Sequence, residues 1–399
     1  MITKQENPKS SLNEQLLEVV QASIRNTPVP KVNKIIYEEM KAHTIQALAA
    51  PILGSLSLPE DLYHEWEHDI LQRVYHWYRY CEIQSSLPIS VPYVVLKGMS
   101  AAQYYPHPEY RIMGDIDIMT RREDFNSACD MLLQNGFVET TDIGDDRVRT
   151  FRGKGIEIEV HRFYALRHNA EETRILDQLI FDHINESHVL PDLVNGLTLI
   201  EHVNHHLEGG IGLRQILDWY MFVDKCLSDD AWPAFQAIAQ KTGHERLAII
   251  VTRMCELYLG LPPHKWCEDA DEQVCEELML FILASGNFGR KNSQDHRTSM
   301  EALSYSNTLR GAIQYLTRRG MMNWKAAQKY PILRPIACIY QMNRYFFKGL
   351  FRRGSVGKFK DEISESKRLD KLFDSVGIAR DRDGRVFYID GKYKIKLPH

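Results

Sequence analysis

The chain has 399 residues, of which 44% are hydrophobic and 26% are charged, and its formal net charge is -4 at pH 7. This composition is typical of a globular protein with two or three domains, and it excludes a nucleic-acid-binding surface that extends over the whole molecule. No apolar run reaches the roughly 18 residues that a membrane-spanning helix requires.

Residues 1–88 are predicted to form an N-terminal helical region. Apolar residues recur at three- and four-residue spacing in "SLNEQLLEVVQASI" and in "PEDLYHEWEHDILQRVYHWYRYCEI", which is the period of an amphipathic helix. The first residues, "MITKQENPKSSLNEQ", lack the apolar segment of a signal peptide. The seven cysteines are never spaced as CxxC, which indicates reduced thiols. We therefore expect a cytoplasmic protein.

Residues 89–190 are predicted to form a small α/β domain. The apolar run "VPYVVL" predicts a buried strand, and "MSAAQYY" after it predicts the start of a helix. "RIMGDIDIMT" predicts a second strand, "REDFNSACDMLLQNGF" an amphipathic helix, and "RVRTFRGKGIEIEVHRFYA" a β-hairpin. This order predicts an α+β fold in which a small mixed sheet is flanked by helical regions on both sides of the sequence.

Three acidic residues of this domain are predicted to converge at one edge of the sheet. Asp115 and Asp117 alternate with isoleucines, so both side chains point to one face of a strand. Glu159 lies on one face of another strand, together with Glu157 and His161. Carboxylates that lie so close repel each other unless a cation lies between them. If the strands are neighbours, the carboxylates of Asp115, Asp117 and Glu159 would bind Mg²⁺ or Mn²⁺.

Such a site suits the in-line transfer of a phosphoryl or nucleotidyl group. Two ions about 4 Å apart could hold the attacking and leaving oxygens, and one carboxylate could deprotonate the incoming hydroxyl. Gly98 would allow close approach of the backbone to phosphates, and the helix start at Ser100 would offer free N–H groups. Lys97 and Arg111 would add positive charge there. We expect His161 to cap its strand and to hydrogen-bond the helical domain. The alternative is that it contacts substrate or orients a carboxylate.

Residues 191–365 are predicted to form a C-terminal helical domain, and residues 366–399 a tail with a β-hairpin. The segment "NRYFFKGLFRRGSVGKFK", residues 343–360, carries six basic residues, interleaved with aromatic ones, and no acidic residue. One interpretation is the solvated face of a packed amphipathic helix. The other is a surface for RNA, a membrane or an acidic partner.

The α/β domain resembles the bacterial proteins of the uncharacterised nucleotidyltransferase family, which belongs to the polymerase-β-like superfamily. The resemblance covers residues 91–165 and rests on these positions: Leu96-Lys97-Gly98, Arg111, Asp115, Asp117, Gly136-Phe137, Glu159 and His161. It implies a nucleotidyltransferase-like domain in which Asp115 and Asp117 bind metal and Glu159 holds the third carboxylate position.

The resemblance extends more loosely into a histidine-rich helix that is followed by an L-R-x-[IL]-x-D motif. Here the motif contains Arg214 and Asp218, which are one helical turn apart. Arg214 either pairs with Asp218 on a helix surface or reaches the nucleotide across the domain cleft. Among the histidines, which are His202, His205 and His206, the first and last could bind zinc, although no HExxH motif is present.

The sequence therefore predicts a Mg²⁺-dependent nucleotidyltransferase. It would transfer an NMP, with AMP from ATP expected, to a hydroxyl group of a sugar, small molecule, peptide, protein or RNA. The Gly-Ser pair that grips the triphosphate in the wider superfamily is absent, because Met99 follows Gly98 and Ser100 comes one position later. This departure motivates one alternative, a catalytically inactive binding or regulatory protein. Another alternative is a phosphotransferase on the same scaffold.

Overall fold

The structure of the protein is a computed structural model, and the account below concerns the residues that it describes. These are residues 8–28, 32–140, 147–165, 170–184, 187–207, 209–289, 291, 313, 316–317, 320–321, 324, 326–327, 330–351, 368–378, 385–389 and 392–396. Within them, no helix combines the length and the apolar character that crossing a membrane would require.

Helices account for most of the described elements. They are α1 (Pro8–Arg25), α2 (Lys34–Ala42), α3 (Glu60–Ser85), α4 (Gly98–Ala102), α5 (Phe125–Gln134), α6 (Ala170–Phe181), α7 (Asp192–Leu207), α8 (Leu213–Cys226), α9 (Trp232–Lys241), α10 (Glu245–Leu259), α11 (Glu272–Ser285) and α12 (Arg334–Phe351). The strands are β1 (Tyr93–Leu96), β2 (Ile116–Thr120), β3 (Val138–Glu139), β4 (Val148–Gly153), β5 (Ile156–His161), β6 (Arg385–Ile389) and β7 (Lys392–Lys396). The fold is α+β, which confirms the prediction from the sequence.

The central sheet has five strands in the order β1-β2-β5-β4-β3. Strand β2 pairs antiparallel with β1 and parallel with β5, so the sheet is mixed. The predicted hairpin is present as the antiparallel pair of β4 and β5, and Lys154 and Gly155 turn the chain with φ of 52° and 79°. Two successive residues with positive φ are typical of a type I′ turn. Strands β6 and β7 form a separate antiparallel pair near the C-terminus.

The two faces of the sheet contact different hydrophobic cores. Alternate residues of β2 and β5, such as Ile116, Ile118 and Ile158, pack with α5 and the end of α3 in the smaller core. The opposite face of the sheet borders the larger core, which helices α1, α2, α7, α8, α10 and α11 build together. The N-terminal and C-terminal helices therefore share one core, although they are far apart in the sequence. The domain boundaries proposed from the sequence stay a prediction.

Local details differ from the sequence-based predictions at three places. Strand β2 begins at Ile116, so Asp115 lies just before it. Helix α4 has only five residues. The N–H groups at its start therefore lack the sizeable dipole that a longer helix would add. Helix α12 includes the start of the basic segment, but residues 352–360 and the side chains of residues 345–351 lie outside the described part of the chain.

Candidate active site

A cavity of about 320 Å³ lies between the sheet and helices α7 and α8. Its volume is at the lower end of the range that is usual for small-molecule sites. It is lined by residues from the sheet, from the loop before β2 and from the two helices: Lys97, Gly98, Arg111, Gly114, Asp115, Arg147, Val148, Glu159, His161, Phe163, Tyr164, Glu201, His202, His205, His206 and Arg214.

Asp117 is a buried carboxylate beside this cavity, with an exposed fraction of 1%. Its register partners are Leu96 on β1 and Glu159 on β5. Its Oδ1 accepts hydrogen bonds from Lys97 Nζ at 2.7 Å and from His161 Nε2 at 2.9 Å. Its Oδ2 is buried and has no hydrogen-bond partner among the described residues. Because a buried polar atom without a partner is costly, Oδ2 is an open ligand position.

Glu159 and His161 lie two residues apart on β5 and face Asp117. The Nε2 of His161 is 3.4 Å from Glu159 Oε2. Burial opposes ionisation of Glu159, but the hydrogen bond from His161 and its charge lower the Glu159 pKa to about 2. Burial also opposes protonation of His161, whereas its hydrogen bonds to Asp117 and Glu159 raise its pKa. Glu159 is therefore ionised at neutral pH and suited to bind a cation.

Asp117, Glu159 and His161 form a group that could hold a metal ion, since one ligand atom from each lies within 4.8 Å of the others. The hydrogen bond to Asp117 agrees with the alternative in which His161 orients a carboxylate, for which its position on the face of Glu159 was the signal. Asp115 lines the cavity outside this group. The charge of Asp117, and then burial, raise the pKa of Asp115, while Lys97 opposes the shift. The metal-binding role of Asp115 stays a prediction.

Lys97 and Gly98 link β1 to α4 at the edge of the cavity. Lys97 has a φ of 49°, which is uncommon for a residue with a side chain. Its ammonium group lies 5.6 Å from the centre of the Tyr164 ring. Burial would lower the pKa of Lys97, but the negative charge of Asp117, together with those of other nearby acidic groups, raises it. A larger residue at position 98 would crowd the edge of the cavity, because a Cβ there would lie 3.3 Å from the side chain of Met113.

Ser100 lies outside the cavity, contrary to the expectation that it faces phosphates. Its hydroxyl donates a hydrogen bond to Asn195 Oδ1 on α7. The amide of Asn195 donates in return to the Ser100 carbonyl oxygen at 3.0 Å. Ser100 therefore fastens α4 to α7, and the structure does not bring it to the carboxylates.

Arg111 lines the cavity but is held by Asp218. Its Nε and Nη2 donate to the two carboxylate oxygens of Asp218, both at 2.7 Å. The hydroxyl of Tyr105 donates to Asp218 Oδ1 at 2.9 Å. The interpretation in which Asp218 pairs with Arg214 on a helix surface is wrong, because Asp218 is buried and binds Arg111 instead. A phosphate would have to compete with Asp218 for the Arg111 guanidinium.

Arg214 extends from α8 into the cavity and is 8% exposed. Its Nη1 donates to the Ile112 carbonyl oxygen at 3.0 Å, while its buried Nε has no hydrogen-bond partner among the described residues. Its Nη1 also lies 3.5 Å from the position that a Cβ on Gly114 would take. Burial and the nearby charge of Arg111 lower the pKa of Arg214, and Asp218 and Asp115 oppose this shift. This guanidinium is therefore placed to meet an anion beside Asp115.

Helix α7 supplies the wall opposite the sheet through Glu201, His202, His205 and His206. Burial lowers the pKa values of His202 and His206 well below the ordinary histidine value, so both are neutral at pH 7. Glu201 accepts a hydrogen bond from His244 Nε2 at 2.8 Å. Within the described part of the chain, the histidines of α7 do not form a metal-binding group of three ligands.

Several lining residues were not predicted from the sequence. Phe163 and Tyr164 follow β5 directly, and the Tyr164 hydroxyl donates to the Thr198 carbonyl oxygen on α7 at 2.7 Å. Arg147 precedes β4 and reaches the same cavity. For Tyr164, proximity in sequence to Glu159 was the available signal. For Arg147 and Glu201, nothing in the local pattern marks the residue.

Comparison with known proteins agrees with this site. A sequence model of the family described as "Uncharacterised nucleotidyltransferase" matches residues 80–260. These residues include β1 to β5, all the lining residues of the cavity, and helices α7 and α8. Comparisons with curated proteins and with solved structures give no match. Residues 80–260 are therefore similar to the uncharacterised nucleotidyltransferase family, and this match supports nucleotidyl transfer as an activity.

Proposed function

We propose that the protein is a Mg²⁺-dependent nucleotidyltransferase that transfers an NMP from an NTP, with AMP from ATP as the expected case, to a hydroxyl acceptor and releases pyrophosphate. The observation that carries this proposal is the open Oδ2 of Asp117, which is buried beside Glu159 and His161 at the cavity. A buried carboxylate with one unpartnered oxygen, next to the ionised Glu159, suits a divalent cation.

The donor set fits a hard divalent ion. Carboxylate oxygens of Asp117 and Glu159 are ligands that Mg²⁺ and Mn²⁺ prefer, and Asp115 lies at the cavity edge where it could add a third. The imidazole of His161 would hold the two carboxylates in place through its Nε2, which faces both of them. When bound, the ion would polarise the α-phosphate and make the acceptor hydroxyl easier to deprotonate.

The remaining residues would bind and orient the nucleotide. Lys97 and Arg214 bring positive charge to the cavity, and Gly98 leaves room for phosphates to approach the backbone. Asp115 or Glu159 would accept the proton of the attacking hydroxyl. Arg111 would act by holding Asp218 and the loop before β2, since its guanidinium is already bound.

The test uses ATP labelled on the α-phosphate and ATP labelled on the γ-phosphate, each added with Mg²⁺ to a host-cell lysate. The purified protein is compared with its Asp115→Asn/Asp117→Asn variant and with Asp130→Asn, a matched change at an exposed position of α5. Nucleotidyl transfer predicts that only the α label moves, that the double variant loses this transfer, and that Asp130→Asn keeps it.

Two other outcomes would contradict the proposal. Transfer of the γ label alone would make the protein a phosphotransferase, because the same carboxylates and cations serve either bond. Absence of transfer together with absence of Mg²⁺-dependent ATP binding would favour an inactive binding protein.

A further inference from the structure

The ammonium group of Lys97 contacts Asp117, which is the carboxylate that two metal ions would have to share. Lys97 Nζ is 2.7 Å from Asp117 Oδ1, and the two side chains are 14% and 0% exposed. His161 Nε2 donates to the same oxygen at 2.9 Å. Both lone pairs of Oδ1 are thereby used, and only Oδ2 is left open.

This arrangement limits how many ions the site can take. In two-metal sites the ions lie about 4 Å apart on either side of the reacting phosphate. A carboxylate that bridges two such ions must offer one oxygen to each. Asp117 is central among the acidic residues, because it is in register with Glu159 and two positions after Asp115. With Oδ1 bound to Lys97 and His161, Asp117 can offer an oxygen to one ion.

The position of Lys97 is built into the backbone. Its φ of 49° directs the chain sharply from β1 into α4, and such conformations persist where the surrounding structure holds them. Its ammonium lies between Asp117 and the face of the Tyr164 ring, at 2.7 Å from the carboxylate oxygen and 5.6 Å from the ring centre. The ammonium group of Lys97 is therefore a positive charge that these contacts hold in a fixed position.

We infer that the site binds one divalent ion, through Asp117 Oδ2, and that Lys97 takes the place of the second ion of a two-metal site. This inference rests on the proposed function and specifies how its metal site works. While bound to Asp117, the ammonium group of Lys97 would place a fixed positive charge beside the nucleotide.

The test counts ions directly. Equilibrium dialysis with Mn²⁺ and α,β-methylene ATP measures bound Mn²⁺ and bound nucleotide analogue per chain, and electron paramagnetic resonance distinguishes an isolated Mn²⁺ from a coupled pair. We expect one Mn²⁺ per nucleotide-bound chain with the spectrum of an isolated ion. Lys97→Met, which removes the charge and keeps the length, should raise the count from one to two.

Two variants control for indirect effects. Lys97→Arg keeps the charge and should keep the count at one, and Lys225→Met, at an exposed position of α8, should do the same. Two coupled ions in the unchanged protein, or one ion in Lys97→Met, would overturn the inference while leaving the proposed function intact. Failure of the unchanged protein to bind both Mn²⁺ and the analogue would overturn both.

Discussion

Asp117 and Glu159 are register partners on two parallel strands, so their carboxylates lie side by side on one face of the sheet. Like charges directly opposite each other destabilise a sheet. Lys97 and His161 offset this repulsion by donating to Asp117, and His161 also lies 3.4 Å from Glu159. Neighbouring positive groups therefore offset the repulsion between the carboxylates of Asp117 and Glu159.

Asp117→Asn should destabilise the metal-free protein, because it leaves the buried ammonium of Lys97 without its counter-charge. Breaking a buried ion pair by removing one partner costs about 3 to 5 kcal/mol, and the partial exposure of Lys97 puts our expectation at about 3 kcal/mol. Urea unfolding measures this change, with Asp130→Asn on the surface of α5 as the control. An unchanged unfolding midpoint for Asp117→Asn would show that Lys97 finds another partner.

Arg111 and Asp218 should behave as a structural pair in stability measurements. Both residues are buried, and the single changes Arg111→Met and Asp218→Asn should each lower the free energy of unfolding by about 3 kcal/mol or more. The double variant should lose less than the sum of the two, since neither charge remains unpaired. In the exposed pair of Lys34 and Glu65, Lys34→Met should leave the stability nearly unchanged. Additive losses for Arg111 and Asp218 would contradict the pairing.

Glu159 should make the stability of the metal-free protein depend on pH. Its pKa falls from 4.5 to about 2 on folding, so its ionised form favours the folded state. This contribution is present above the unfolded pKa and is lost as the pH falls from about 4.5 toward 2. The difference in unfolding free energy between the unchanged protein and Glu159→Gln should shrink between about pH 6 and pH 3. A difference that grows on acidification would show that Glu159 is not held ionised.

Arg214→Met should weaken nucleotide binding more than it affects folding. Hydrogen bonds to charged groups contribute about 1.5 to 3 kcal/mol, so the dissociation constant of an ATP analogue should rise roughly 10-fold to 100-fold. Calorimetric titration measures this change, and Arg152→Met, at a 68% exposed side chain, should leave the affinity unchanged. Equal affinities for Arg214→Met and the unchanged protein would place the phosphates elsewhere in the cavity.

The elements that short-range patterns encode were predictable from the sequence. Helix α5 ends before Gly136, whose φ of 84° suits a residue without a side chain, and the hairpin turns at Lys154 and Gly155. The alternation in β5 also placed Glu159 and His161 on one face. These features depend on the backbone preferences of a few adjacent residues, which a sequence displays directly.

Partners that are distant in sequence could not be predicted in this way. Arg111 binds Asp218, which lies 107 positions later, and no local period relates them. Ser100 likewise binds Asn195 on α7. The sequence therefore predicted the strands that carry the carboxylates, but it left the partner of Asp218 open and did not reveal Asp218 as the partner of Arg111. Such contacts arise from the packing of α7 and α8 against the sheet.

The core shared by the first and the later helices also bears on how the chain folds during its synthesis. Gln21 and Arg25 of α1 donate to the carbonyl oxygens of Tyr258 and Gly260, which are 237 and 235 residues later. At ribosomal rates of about 5 to 20 residues per second, α1 waits roughly 10 to 50 s before those partners are made. During that interval the part of α1 that packs against α10 has no native cover, so a nascent chain stalled before α10 should expose this part to proteases and chaperones.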